Sequence, residues 1–173
     1  YLLLKGKRKE AFELFDKAVK LKPNYADAYN NRGNLLSQAG KSEAAMADFN
    51  RAIELRPHAD AYFNRANELS NRGNLNLAIE DYTESIKLKP SPDAYTNRGF
   101  AHLKLKELEA CRNNLNRAIQ LDPQYDPAYF LLAMEARQRM DFETACKNLK
   151  LAARFGNQKA IQALPELCAN NSP

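Results

Sequence analysis

The 173-residue chain has no tryptophan, two histidines and three cysteines, and each shortage excludes something. His58 follows a proline in a loop and His102 sits in a helical pattern, so neither belongs to a cluster with metal-ligand spacing. No nucleophile motif accompanies them, and no glycine-rich phosphate loop is present. No catalytic residue, cofactor or metal is therefore expected. An odd count of three cysteines argues against a disulfide framework and for a reducing, cytoplasmic setting. Cys111 takes a small-residue core position, and Cys146 and Cys168 are read as buried free thiols in preference to a bridged pair. Six glycines and eight prolines are too few for a collagen-like or low-complexity chain. No run approaches the roughly 20 apolar residues of a membrane span, and Tyr1-Leu2-Leu3-Leu4 is too short for that or for a signal-peptide core. No membrane partner is expected. The chain does not begin with Met, so a segment or whole domains could precede it. The net charge of +5 is dispersed, without a basic stripe interleaved with aromatics, so nucleic acid is not expected as a partner.

What the chain does have is self-similarity. Asp27-Ala28-Tyr29-Asn30-Asn31-Arg32-Gly33-Asn34 returns as Asp60-Ala61-Tyr62-Phe63-Asn64-Arg65-Ala66-Asn67 and as Asp93-Ala94-Tyr95-Thr96-Asn97-Arg98-Gly99-Phe100. The starts differ by 33 residues each time (60−27 and 93−60), and a weaker copy around Tyr129 follows at 34 (129−95). A second block, Ala52-Ile53-Glu54-Leu55-Arg56-Pro57, recurs around Ile86 and Ile119, and early as Ala18-Val19-Lys20-Leu21-Lys22-Pro23. Within each unit the apolar residues recur at three- and four-residue steps, the period of a helix face. Each proline ends a helix, because it lacks the N–H and disfavours helix in the residue before it. Gly40 and Gly73 mark the turn inside a unit. Each unit then holds two helices of about 13–15 residues, which must stack on neighbours to bury their faces.

These residues resemble the tetratricopeptide-repeat (TPR) family. Its pattern asks for aromatic, small, Ala, aromatic, Ala and Pro at positions 4, 8, 20, 24, 27 and 32. Tyr29, Gly33, Ala45, Phe49, Ala52 and Pro57 supply all six. Tyr62, Ala66, Ala78, Tyr82, Ser85 and Pro90 follow, then Tyr95, Gly99, Cys111, Leu115, Ala118 and Pro123 with two relaxed positions. The last unit has Tyr129, Ala133, Ala145, Leu149 and Ala152, with Asn157 in place of Pro. The resemblance implies an all-α, right-handed superhelical solenoid of antiparallel helix pairs with a C-terminal capping helix. Its expected units are a partial repeat over 1–25, repeats over 26–58, 59–91, 92–125 and 126–156, and a capping helix and tail over 157–173. Pro165 predicts a kink or break in that capping helix. Arg32, Arg65 and Arg98 depart from the family's frequent Leu, and are expected to pack between repeats and pair with a nearby acid. Asp27, Asp60 and Asp93 open their helices and complement the helix dipole.

In the family the first helix of each pair lines a concave groove. Those positions here carry Asn31, Asn64 and Asn97 at the sixth place and Asn34 and Asn67 at the ninth. Asparagine is a mediocre helix former, so five in register ask for a reason. Its amide offers a donor and an acceptor, and a row of them can hold the backbone of an extended peptide. The row resembles the asparagine ladder in the TPR arm of O-linked N-acetylglucosamine transferase. The competing reading is inheritance through duplication with hydrogen bonding between helices. Phe63, Phe100, Phe130 and Met134 make the far half of the groove more apolar, either as a pocket for side chains or as packing under the capping helix. A carboxylate clamp of the kind that holds chaperone tails needs three cations at set positions. None is present, and a terminal carboxylate would meet Asp93.

The expected function is a non-catalytic scaffold that binds an extended segment of a partner protein. Two alternatives are the substrate-targeting arm of a larger enzyme and a homo-oligomer built through the terminal repeat.

Overall fold

A computed structural model describes residues 7–168, so residues 1–6 of the expected first unit and 169–173 of the expected tail lie outside the described residues. The described residues are helical, with no strand among them. In chain order the helices are α1 (Arg8–Leu21), α2 (Ala26–Gln38), α3 (Ser42–Leu55), α4 (Ala59–Asn71), α5 (Leu75–Leu88), α6 (Pro92–Lys104), α7 (Leu108–Leu121), α8 (Asp126–Gln138), α9 (Phe142–Arg154) and α10 (Gln158–Cys168). None is long and apolar enough to cross a membrane. The chain divides into two compact units, Tyr1–Lys89 with α1 to α5 and Pro90–Pro173 with α6 to α10.

In the first unit α2 packs on α3 and α4 on α5; in the second α6 packs on α7 and α8 on α9. The turn inside each pair is three residues long and closes in the same way. After α2, Gly40 takes φ +72°, its N–H reaches Ser37 O at 2.9 Å, and Lys41 N–H reaches Leu36 O at 2.9 Å. Gly73 does this after α4, where the sequence marked it. The same left-handed turn is made by Lys106 (φ 61°) after α6 and by Met140 (φ 63°) after α8, where no glycine signals it. The closing hydrogen bonds recur, with Asp141 N–H to Ala136 O at 2.9 Å, so packing of the pair imposes a conformation that these side chains disfavour. The links between pairs carry the prolines instead: Arg56, Lys89 and Asp122 are extended, as a residue before proline prefers.

Small residues set the distance between paired helices. A Cβ on Gly33 would lie 2.8 Å from the Phe49 ring, and one on Gly99 would lie 3.2 Å from Leu115. Phe49, Tyr82, Leu115 and Leu149 fill the same place in successive pairs and are almost fully buried. At the rim of the first three of these cores sits an arginine. Arg32 lies over the Tyr29 ring at 5.6 Å and binds Asp48 and Asp16; Arg65 lies over Tyr62 at 5.7 Å and binds Asp81 and Asn50. The expected pairing with an acid therefore holds for these two. Arg98 keeps the ring, Tyr95 at 5.5 Å, but its Nε donates to the amide of Asn114 at 2.7 Å.

Helix α10 caps the second unit. It continues through Pro165 without a break, and it packs on α9. Cys146 and Cys168 form a disulfide across a separation of 22 residues, with Cα atoms 5.4 Å apart. The free-thiol reading fails because α10 folds back along α9 and brings its end to the middle of that helix; only Cys111 is free. At its start Asn157 caps the helix, accepting from Ala160 N–H at 2.9 Å.

Candidate functional site

In the first unit the asparagine row lies on α2 and α4, and its members have different duties. Asn31 is half-buried and makes no side-chain hydrogen bond to another described residue. Asn34 accepts a long bond of 3.2 Å from Gln38, four residues on. Asn64 donates through Nδ2 to Oδ1 of Asn30 at 3.0 Å, linking α4 to α2. Asn67 accepts from the Tyr82 hydroxyl at 2.7 Å, which satisfies the one polar atom of a ring that fills the α4–α5 core. Asn30 is buried, at 7% exposure, so the Asn30–Asn64 pair is part of the packing between repeats. Within the row, Asn64 and Asn67 hold helices together, whereas Asn31 and Asn34, both half-buried, make no side-chain hydrogen bond to another described helix. Phe63 is half-buried, with its ring 6.0 Å from that of Tyr82.

One group on this face was not anticipated. Glu68 is buried in α4 and accepts from the Ser37 hydroxyl of α2 at 2.5 Å. A lone glutamate in a polar helix carries no periodic signal. Only the contact between α2 and α4 shows that it points inward.

In the second unit Asn97 is half-buried on α6. Phe100, one turn away, is 37% exposed with the Lys104 ammonium 5.2 Å from its ring centroid. Phe130 and Met134 of α8 take the packing alternative: they join one apolar cluster with Leu149 and Ala152 of α9 and Ala160, Leu164 and Leu167 of α10. Glu135 on the same helix is buried, and Arg139 (2.8 Å) and Arg112 (3.3 Å) flank it.

The charged groups near these faces are held by structural partners. Hydrogen bonds from Arg32 to Asp48 and from Arg65 to Asp81 raise the two guanidinium pKa values above the usual arginine range. Arg98, facing an amide, is lowered by burial. The Tyr125 hydroxyl donates to Asp93 at 2.6 Å, and burial, then that bond, push its pKa up. Asp27 is bound by Arg56, and Asp126 accepts from Asn157 at 2.6 Å. Each of these first-turn acids thus ties the start of the first helix of a pair to the segment that follows the second. A pocket of about 310 Å³ lies between α1 and α2, lined by Phe12, Leu35, Leu36 and the stems of Arg8, Lys9 and Lys41; it includes none of the row's asparagines.

Comparison with known proteins agrees with this architecture. Family models described as tetratricopeptide repeat match residues 26–58, 59–92 and 92–125, and one described as TPR repeat matches 2–40. These matches run from residue 2 to residue 125, most of the chain, and the chain belongs to the tetratricopeptide-repeat family. A tetratricopeptide repeat protein 36 homolog from Nematostella vectensis is 44% identical over 45 residues, 26% of this chain and 25% of that protein. The match thus spans a quarter of that relative's length. Among solved structures, MamA residues 41 to the end from Desulfovibrio magneticus RS-1 superimposes with a TM-score of 0.78 at 21% identity, covering 98% of this chain and 91% of that one. YrrB, described as a TPR protein with an unusual peptide-binding site, gives a TM-score of 0.73 at 19% identity, covering 91% of this chain and 93% of that one. At these identities the likeness is one of fold.

Proposed function

We propose that this protein is a non-catalytic scaffold that holds an extended peptide segment of a partner protein against the first helices of its repeats. The observation that carries the reading is the amide capacity left on α2: Asn31, half-buried, makes no side-chain hydrogen bond to another described residue, and Asn34, also half-buried, makes the long bond from Gln38 within its own helix. An extended peptide presents a donor and an acceptor at every residue, and an amide side chain can meet both. On α6 the 37% exposed Phe100 ring suits an apolar side chain. YrrB, of the same fold, is itself described as having a peptide-binding site, which supports the class of ligand.

The test separates binding from folding. Random peptides displayed on phage are selected on the full chain, and the recovered peptides are synthesised. The double variant Asn31→Ala/Asn34→Ala is expected to lose about tenfold or more in affinity, equivalent to one or two hydrogen bonds. Its melting curve should be unchanged. Equal affinity would remove these residues from the site. Asn64→Ala is unsuited to this purpose, because it strands the buried Asn30 amide.

A further inference from the structure

Helix α10 is fastened at its two ends by different chemistry. At its start Asn157 caps the helix and donates to Asp126 of α8 at 2.6 Å. At its end Cys168 is bonded to Cys146 in the middle of α9. Pro165 lies between them and has no N–H for the carbonyl of Ile161, so the last turn lacks a rung of the helical ladder. That same turn carries Leu164 and Leu167, which cover the apolar cluster of Phe130, Ala133, Met134, Leu149 and Ala152. The backbone therefore holds this turn poorly exactly where the disulfide crosses to the neighbouring helix.

We propose that Cys146–Cys168 is a redox latch: reducing it frees the last turn of α10 and uncovers the apolar face made by Phe130 and Met134 of α8 and Leu149 of α9. The co-reactant is a dithiol. Its thiolate attacks the sulfur of Cys168, the more exposed of the pair, and Cys146 leaves as a thiolate that takes up a proton. The second thiol of the reductant then resolves the mixed disulfide, freeing Cys168 as a thiol. Two electrons and two protons pass to the protein, and the reductant leaves as its own disulfide. Cys111 does not compete in the exchange, since it is buried and burial pushes its thiol up to about 12. The uncovered face would extend the peptide-holding surface with an apolar patch, but the latch stands without that reading.

The test is hydrogen exchange on the full chain, oxidised and after dithiothreitol. Reduction should lower amide protection at Glu166–Cys168 by about tenfold or more and raise the fluorescence of anilinonaphthalene sulfonate, with little change in far-ultraviolet circular dichroism. Cys146→Ser and Cys168→Ser should show the released state and ignore the reductant. Pro165→Ala, which restores the missing N–H, should keep the turn protected after reduction. Unchanged protection on reduction would overturn the latch. So would three titratable thiols in the denatured, air-oxidised protein, or loss of helicity throughout the chain on reduction, since a latch acts on α10 alone.

Discussion

Arg65 grips Asp81 with two near-parallel hydrogen bonds, Nε to Oδ2 at 2.6 Å and Nη2 to Oδ1 at 2.7 Å, while its guanidinium lies over the Tyr62 ring. Arg32 and Asp48 repeat the arrangement one unit earlier at 2.7 and 2.8 Å. The two arginines differ in what remains if the aspartate is lost. Arg32 keeps a second carboxylate, Asp16 at 2.8 Å, whereas Arg65 keeps only the neutral oxygen of Asn50 at 2.8 Å. Asp81→Ala is therefore expected to cost about 2–3 kcal/mol, somewhat below the loss for a fully buried pair because Arg65 is partly exposed. Asp48→Ala should cost about 1–2 kcal/mol. Urea denaturation of the two variants side by side checks the order, and equal losses would show that Asp16 contributes nothing.

The two helical glycines make opposite predictions. Gly33→Ala puts a methyl 2.8 Å from a ring that is 1% exposed and has no room to move. Overpacking of about 1–3 kcal/mol is partly offset by about 1 kcal/mol of helix propensity, leaving a net loss of about 1 kcal/mol. Gly99→Ala meets the Leu115 side chain at 3.2 Å, which can yield by a few tenths of an ångström, so the same substitution should be neutral or slightly stabilising. Thermal melts of both variants decide the matter.

Met140 holds φ 63° with 72% of its surface exposed, so its side chain gains little in return for the backbone conformation. Met140→Gly should stabilise the protein by about 0.5–1 kcal/mol: removing the left-handed penalty outweighs the added freedom of the unfolded chain. A lower denaturation midpoint would mean that the Met140 side chain makes up the difference through packing.

Stability should fall at acid pH for a local reason. The Asp141 carboxylate accepts the Thr144 N–H at 3.0 Å, and that bond, the largest cause, holds its pKa below 3.8. The hydrogen bond from Lys20 does the same for Asp16. A folded pKa below the unfolded one gives stability that is present above about pH 4 and lost as pH falls through the folded value. Asp141→Asn keeps an oxygen acceptor for the cap but removes the titration. Because the neutral amide lacks the charge that the cap favours, its urea midpoint should lie slightly below that of the parent protein at pH 7, and the gap should close as pH falls below about 4. An unchanged acid slope would place the pH dependence elsewhere.

Much of this architecture was legible in the chain itself. The 33-residue spacing, the small residues at Gly33, Ala66 and Gly99, and the prolines Pro57, Pro90 and Pro123 after three of the pairs all reported local requirements of helix packing and helix ends. The candidate site was only half legible. Asn31, Asn64 and Asn97 look alike in the sequence, yet Asn64 is bonded to Asn30 in the structure and Asn31 is not bonded to a described side chain. Glu68 gave no signal, because its burial comes from the contact of α4 with α2 and not from its own helix.

The sequence by itself determined the class: a chain of near-identical amphipathic pairs cannot bury its faces except by stacking, so the period alone implies the repeat. Tertiary structure decided which polar groups were already spoken for, because a hydrogen bond between helices depends on distances that no linear pattern encodes. It also decided that Phe130 and Met134 lie in one cluster with α10, that Lys106 and Met140 accept left-handed turns, and that Cys146 meets Cys168. Each depends on how one helix lies against another, and a spacing along the chain does not contain that.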